Sequence, residues 1–309
     1  MYRNYIRFKV SNDWIPCEKQ IQSVPSIILN ATMDKILVER LENKSISIWN
    51  ALHLNKMNWE ETFYLLLARN FGFKTNSLPF ELLAKSISPL ILAKHKNNLF
   101  QIEALLFGQA GFLDQHWQEK YPLQLQNEYA FLRQKFKLHP IDNHLWKFLR
   151  LRPLNFPTIR IAQFASLIHQ SSNLFSKIIH SQTVHQLKIF MKCDVSDYWK
   201  DHYLFEKKTS IQGKKMGDDT INNLIINTVI PFLFLYGKVN AQEVFKEKAL
   251  LFLDEIKEEQ NAIISHWKRL CVPVQNASAS QALLQLKANY CDHKKCLQCA
   301  IGNYLLKKV

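Results

Sequence analysis

Glycine is scarce in this chain: 7 of its 309 residues are glycine, and 10 are proline. So low a glycine fraction, together with many leucine, isoleucine, lysine and glutamine residues, favours helices. Gly108 and Gly111 do not form a phosphate-binding loop, because the preceding strand, the Lys-Ser/Thr ending and the glycine spacing are absent. The composition therefore predicts a mainly α-helical protein.

Long hydrophobic runs are missing as well. The most apolar segment, Leu224–Tyr236, is interrupted by Asn227 and Pro231. A membrane-spanning helix needs about 20 apolar residues, so this shorter segment is predicted to be a buried helix. The N-terminus also lacks the apolar stretch of a secretion signal. We therefore expect a cytoplasmic protein with no membrane partner.

Acidic residues are few, with 26 against 40 lysines and arginines, which gives a formal net charge of +14. Such an excess of positive charge indicates a polyanionic partner, most often a nucleic acid, that binds through a basic surface. The alternative is that lysine-rich helices keep the protein soluble and the charge is incidental. The sequence identifies no protein partner, and no catalytic constellation stands out, so enzymatic activity is left open.

Hydrophobic residues make up 47% of the chain, which is typical of a globular protein with an ample core. We expect a multi-helix array with a short N-terminal strand and a cysteine-rich C-terminal tail. The strand is predicted over residues 2–10, where Ile6, Phe8 and Val10 alternate with polar or aromatic residues. Three segments follow from composition: 1–24, 25–209 with a basic arginine loop, and 210–309 ending in the cysteines.

Capping signals place several of the helices. Asn58 stands three residues before Glu61, the pattern of a helix N-cap, and that helix is predicted to end near Gly72. Further helices are predicted by apolar periodicity over 121–137, 158–180 and 242–269. A loop or hinge is predicted at 210–219.

Half of the six cysteines lie close to the C-terminus: Cys291, Cys296 and Cys299, with the spacing C-x4-C-x2-C. Two thiolates separated by two residues can bind one ion, and similar spacings hold iron–sulfur clusters. Five lysines against one aspartate between residues 287 and 308 are expected to favour the thiolate form. In a reducing cytoplasm, this clustering predicts a zinc or iron–sulfur site rather than disulfides.

Three cysteines leave one coordination position to be filled. Cys17, Cys271, His293 and His266 are the alternatives, and the sequence does not decide between them. The opposing interpretation is that these are ordinary small buried residues, as free cysteines often are.

A second candidate site is the loop Arg150–Arg160, which contains three arginines and two prolines. Over residues 128–160, seven basic residues face two acidic ones. Guanidinium groups bind phosphate oxygens bidentately, so Arg150, Arg152 and Arg160 are predicted to contact a nucleic-acid backbone, with Asn155 adding a hydrogen bond. The alternative is that the arginines pair with carboxylates such as Glu103 or Asp142.

Six runs of the chain resemble an uncharacterised bacterial family, domain-of-unknown-function family 2851. They are Trp59–Tyr64, Ile102–Gly111, Arg150–Arg160, Ile225–Pro231, Ala279–Lys287 and Tyr290–Cys299. The resemblance covers nearly the whole chain but implies no established activity.

Fuller-length members of that family carry an additional upstream region with a strand suggestive of a metal-dependent nuclease core. This chain contains no such strand, so the resemblance implies a nuclease-like protein whose catalytic region lies outside this sequence, and it transfers no catalytic residue. Some nucleases of helicase–nuclease systems hold an iron–sulfur cluster with one early and three late cysteines. Cys17, together with Cys291, Cys296 and Cys299, resembles that arrangement.

Overall fold

The computed structural model describes residues 2–171, 173–210 and 213–308, with side chains from residue 5 onward. About 70% of the residues are helical. Within the described ranges there are 17 α-helices and one small sheet of two antiparallel strands. The predicted mainly helical fold is therefore confirmed.

The chain divides into two compact units. One unit combines Met1–Trp49 with Ile230–Val309, and the other is Asn50–Val229. The predicted segments 1–24, 25–209 and 210–309 follow composition along the chain, whereas these units follow spatial proximity. The segment boundaries therefore stay a prediction.

The first unit is built from both ends of the chain. Its core includes Ile15, Trp267, Leu283 and Leu306, each 1% exposed or less. Its helices are α1 (Tyr2–Val10), most of α2 (Ser26–Leu54), α13 (Ile230–Val239), α14 (Glu243–Glu255), α15 (Ala262–Arg269), α16 (Ala277–Gln285) and α17 (Ala300–Lys307), with 3-10 turns at Glu18–Ser23 and Cys296–Gln298 and a π-helical turn at Leu286–Cys291.

The second unit surrounds a central helix, Leu99–Gln109, whose residues from Ile102 onward are all buried. Its helices are α3 (Trp59–Phe71), α4 (Phe73–Ser86), α5 (Pro89–Lys94), α6 (Leu99–Gln109), α7 (Lys120–Phe136), α8 (Pro157–Gln170), α9 (Leu174–His180), α10 (Val184–Met191), α11 (Asp197–Lys200) and α12 (Asp218–Leu224). Strands β1 (His202–Leu204) and β2 (Lys207–Lys208) form the sheet. Two 3-10 turns, Asn143–Leu145 and Pro153–Asn155, and a π-helical turn, Ile225–Val229, complete it.

The predicted N-terminal strand is wrong, because residues 2–10 form helix α1. Phe8 is 3% exposed, and Tyr5 packs against the same core, whereas Val10 is 67% exposed. Residues three apart share one face of a helix, so the buried positions follow the helical period. The alternation of apolar with other residues in this segment therefore does not correspond to the side chains that are buried.

Two predicted helices are each divided in the structure. The segment 158–180 forms α8 and α9, with Asn173 in a left-handed conformation (φ +51°) before α9. The segment 242–269 forms α14 and α15, and the Asn261 side chain caps α15 by accepting a hydrogen bond from the Ile264 N–H at 3.0 Å. In the predicted loop 210–219, residues 211 and 212 lie outside the described residues.

The most apolar helical stretch is longer than predicted. Asp218–Val239 runs continuously through α12, the π-helical turn and α13, with mean hydropathy of 1.3 in its most apolar 18-residue window. By length and composition it is able to span a membrane, but 72% of that window is buried within the protein. The expected burial of this segment is confirmed.

The predicted cap at Asn58 is present, and α3 ends at Gly72 as expected. The Asn58 side chain accepts a hydrogen bond from the Glu61 N–H at 3.1 Å. Replacing Asn58 with alanine should lower the free energy of unfolding by about 1 kcal/mol, because an N-terminal amide loses its partner. Urea denaturation measures the loss. Asn58→Ser, which retains an acceptor, should lose much less, and equal losses in the two variants would refute the capping role.

Candidate metal centre and nucleic-acid interface

Cys17 lies in a turn that is held against α15. The Glu18 carboxylate accepts a hydrogen bond from the Trp14 N–H at 2.8 Å. The Trp14 ring stacks on His266 at 3.9 Å between centroids and meets Trp267 edge-on at 5.1 Å. These contacts fix the backbone that carries Cys17.

The tail cysteines are positioned by a series of tight turns. Cys291 ends the π-helical turn, Cys296 begins a 3-10 turn, and Cys299 directly precedes α17. The backbone of Gly302 packs closely on this loop, since a Cβ atom there would lie 2.3 Å from the Cys296 carbonyl oxygen. Only a residue without a side chain fits at that contact.

The structure brings four cysteines together. Cys17, Cys296 and Cys299 are each 8% exposed and belong to one hydrophobic core cluster, against which the half-buried Cys291 packs. In each of the six pairs among them, a negative charge on one thiol raises the pKa of the other thiol. The four sulfur atoms therefore form one electrostatically connected group, which we call the cysteine cluster.

Burial dominates the ionisation of these thiols. It raises the pKa of Cys17 to about 12 and that of Cys296 to about 11, and it also raises the pKa values of Cys291 and Cys299. Lys287 lowers the pKa of Cys291, but by less than burial raises it. The expectation that nearby lysines favour the thiolate is therefore wrong for the free thiols, because desolvation outweighs their charge.

Among the described residues, no group of three or more His, Cys, Asp or Glu side chains is placed to hold a metal ion. Of the four candidates for a further ligand, Cys17 shares the core cluster of the tail cysteines. Cys271 and His293 are exposed, and the His266 ring stacks on Trp14, with its Nδ1 2.9 Å from Arg269 Nη2. A zinc or iron–sulfur cofactor at the cysteine cluster stays a prediction.

The arginine loop separates into an exposed part and a buried part. Arg150 (φ +62°) and Arg152 are exposed, and Arg152 precedes the 3-10 turn Pro153–Asn155. Leu149 beside them is 89% exposed, and Leu154 is 46% exposed. This stretch presents both cationic and apolar side chains to solvent.

Arg160, by contrast, is 4% exposed. Its guanidinium donates to Gln163 at 2.9 Å, to the Asn155 side-chain oxygen at 2.5 Å and to Thr220 at 3.3 Å, and it lies 4.7 Å from the Phe73 ring centroid. Burial lowers its pKa to about 10. In this position Arg160 cannot reach an external phosphate, and it engages the oxygen that Asn155 was predicted to offer.

The alternative prediction, that Arg160 pairs with a carboxylate such as Glu103, is also wrong. Within the described residues the hydrogen-bond partners of Arg160 are neutral. The Glu103 carboxylate instead accepts hydrogen bonds from Tyr121 at 2.6 Å and Ser196 at 2.8 Å. Glu103 is 1% exposed, and burial raises its pKa to about 7.

His202 is a buried histidine that was not selected as a site residue from the sequence. His202 is 2% exposed, stacks on Tyr198 at 4.0 Å, and places Nδ1 2.7 Å from Asp201 and Nε2 3.5 Å from Glu119. Adjacency of Asp201 and His202 in the sequence does not by itself bring their side chains together, but in the structure they are in contact. The sequence offered two signals, the aromatic density of Tyr198–Tyr203 and the aspartates Asp197 and Asp201 close to His202.

Comparison with known proteins supports the family resemblance. A family model described as protein of unknown function (DUF2851) matches residues 1–262. The chain belongs to this family. No curated protein and no solved structure matches it. The matched range includes Cys17 and the arginine loop, whereas Cys291, Cys296 and Cys299 lie beyond it, so the family match does not extend to the tail cysteines.

The buried Glu103 predicts a specific pH dependence. Its pKa rises from 4.5 to about 7 on folding, so the folded state binds the proton more tightly, and stability should fall as pH rises between these values. Glu103→Gln should remove this loss and stabilise the protein at pH 8 by up to about 3 kcal/mol relative to the wild type. Urea denaturation at pH 5 and pH 8 measures the difference.

The exposed Glu247 offers a control. Glu247→Gln should leave the difference in stability between the two pH values unchanged. A Glu103→Gln variant with the same pH dependence as the wild type would contradict the assignment.

Proposed function

We propose that this protein is a non-catalytic, helical, nucleic-acid-associated module of the cytoplasm whose chain ends are joined by a cysteine-ligated metal centre. The meeting of Cys17 with Cys291, Cys296 and Cys299 in one cluster carries this proposal. The relation to a nuclease-like protein derives from the sequence resemblance alone.

The donor set supports a metal centre. A set of four thiols suits soft thiolate chemistry, which zinc and iron–sulfur clusters share. Burial keeps the free thiols protonated at neutral pH, so metal binding would release protons. The free energy of metal binding would then add to the stability of the folded state. A reducing cytoplasm would keep the thiols available as ligands rather than as disulfides.

A metal at this cluster would cross-link distant parts of the chain. More than 270 residues separate Cys17 from Cys291. Closing so long a loop removes much of the conformational entropy of the unfolded chain. The proposed role of the metal is therefore structural.

The exposed arginines support nucleic-acid association. Arg150 and Arg152 lie on the surface in a chain with a net charge of +14. Arginine binds phosphate oxygens bidentately and independently of base sequence. With Arg160 buried, Arg150 and Arg152 are the residues of this loop proposed to contact a phosphate backbone.

A protein-interaction or scaffold role is the second candidate, favoured by the exposed Leu149 and Leu154 within the same loop. A protein partner would cover these apolar side chains, whereas phosphate contacts would leave them unused. Salt dependence separates the two roles, because phosphate binding weakens steeply with salt.

Arg152→Ala should weaken binding to a fluorescent DNA duplex, and the slope of log affinity against log salt should fall by about 0.9 for the lost contact. Fluorescence anisotropy at several salt concentrations measures both quantities. Lys192→Ala removes an exposed positive charge elsewhere in the same unit and should change binding less. Wild-type binding that is absent, or independent of salt, would favour the scaffold role.

Cys17→Ser should reduce bound metal per chain, with an affinity lower by about tenfold or more, because a ligand is lost. It should also lower the melting temperature. Elemental analysis and thermal denaturation of the purified full chain test this prediction. Cys271→Ser, which alters an exposed cysteine outside the cluster, should retain the metal. Wild-type protein without metal would overturn the proposed centre.

A further inference from the structure

We propose that the exposed face of α7 binds single-stranded nucleic acid by stacking an unpaired base on Phe131. This proposal rests on the proposed nucleic-acid association, and it adds a further contact surface and a class of ligand, strands with unpaired bases. An exposed aromatic ring, the cations that follow it in the sequence and a cleft beside it carry the proposal.

Phe131 is a large apolar side chain on the solvent face of α7. It is 60% exposed, whereas Tyr129 and Leu132 of the same helix are buried. Its ring centroid lies 5.7 Å from the Nζ of Lys135, about one helical turn later. Folding thus leaves most of this ring in water, where it is available to the planar face of a nucleobase, which stacks on aromatic side chains.

Positive charge is concentrated around this ring. Between residues 129 and 141 the chain has three basic residues, Arg133, Lys135 and Lys137, and no acidic residue. All three basic side chains are exposed. Cations at the end of a helix also stabilise its dipole, but this effect does not account for an exposed phenyl ring among them. Cations beside an aromatic ring match a strand in which phosphates alternate with bases.

A cleft of about 650 Å³ adjoins this face of α7. Its polar lining includes Arg133, Gln134, Lys137, His139 and Asp114. Gln134 follows Phe131 by three residues, and residues three apart are neighbours on a helix surface, so the Phe131 ring lies at the border of the cleft. The cleft therefore offers two cationic side chains to the phosphates of a strand whose base stacks on the ring.

The exposed ring distinguishes a single strand from a duplex. In a duplex the bases are paired and stacked on one another, whereas unpaired bases are free to stack on aromatic side chains while their phosphates contact cations. A protein partner would also cover Phe131, but the three adjacent cations favour a polyanion. The combination of ring and charge is thus best matched by single-stranded nucleic acid.

The test is fluorescence anisotropy of the full chain with labelled oligo(dT) and oligo(rU) of about 12 nucleotides, and with a duplex of the same length. Phe131→Leu keeps an apolar side chain but loses the ring, so it should bind the preferred single strand about fivefold or more weakly. Phe131→Tyr keeps the ring and should bind as tightly as the wild type. Both variants should bind the duplex as the wild type does. The more tightly bound single strand identifies DNA or RNA as the ligand.

Leu78→Ala offers a matched control, because Leu78 in α4 is also 60% exposed and has no aromatic ring. It should leave the affinity for every probe unchanged. Lys135→Ala should lower the slope of log affinity against log salt by about 0.7, the value for one phosphate contact with a single strand. Thermal denaturation of each variant checks that the fold is retained.

The outcomes separate this proposal from the nucleic-acid association beneath it. Single-strand binding that is equal in Phe131→Leu and the wild type would overturn the stacking surface and leave association through Arg150 and Arg152 standing. Equal losses for duplex and single strand, or a Phe131→Tyr variant that binds as weakly as Phe131→Leu, would also overturn the stacking surface. Wild-type protein that binds none of the probes at low salt would overturn both proposals.

Discussion

The attachment of the N-terminal segment to the C-terminal tail is the constraint on which the first unit depends. Its core is drawn from residues 1–49 and 230–309, so neither end can bury its apolar face alone. Polar contacts join the same ends, since Tyr290 and Gln285 both donate to Glu39, and Lys294 donates to the Lys9 carbonyl oxygen at 2.9 Å. Bringing together residues so far apart in sequence costs chain entropy, which hydrophobic burial offsets.

The second unit buries ionisable side chains. Arg160 and Glu103 are both nearly inaccessible, yet they are not paired with each other. Each is surrounded by neutral hydrogen-bonding partners, and burial shifts the pKa of each towards its neutral form. Desolvation penalises charge in such surroundings, so these groups specify local packing rather than external binding. Of the three arginines in the loop Arg150–Arg160, Arg150 and Arg152 are exposed to solvent.

The local signals in the sequence were reliable where the determining interaction is itself local. The Asn58 cap bonds an amide three residues away, and α3 ends at Gly72 as the sequence predicts. The failures occurred where neighbours distant in sequence decide. Residues 2–10 resemble a strand, but the core that buries Phe8 makes them a helix. The division of 242–269 is a different kind of failure, because the Asn261 cap that begins α15 is local, three residues from Ile264, and apolar periodicity alone overlooked it.

The sequence by itself determined the helical class, the basic charge and the C-x4-C-x2-C spacing, because composition and short-range pattern govern these properties. Only the tertiary structure decided which residues share a site. It placed Cys17 in the core cluster that holds the tail cysteines, left Cys271 and His293 exposed, and turned Arg160 inward. Proximity across hundreds of residues and the orientation of a side chain follow from how helices pack, which no local spacing encodes.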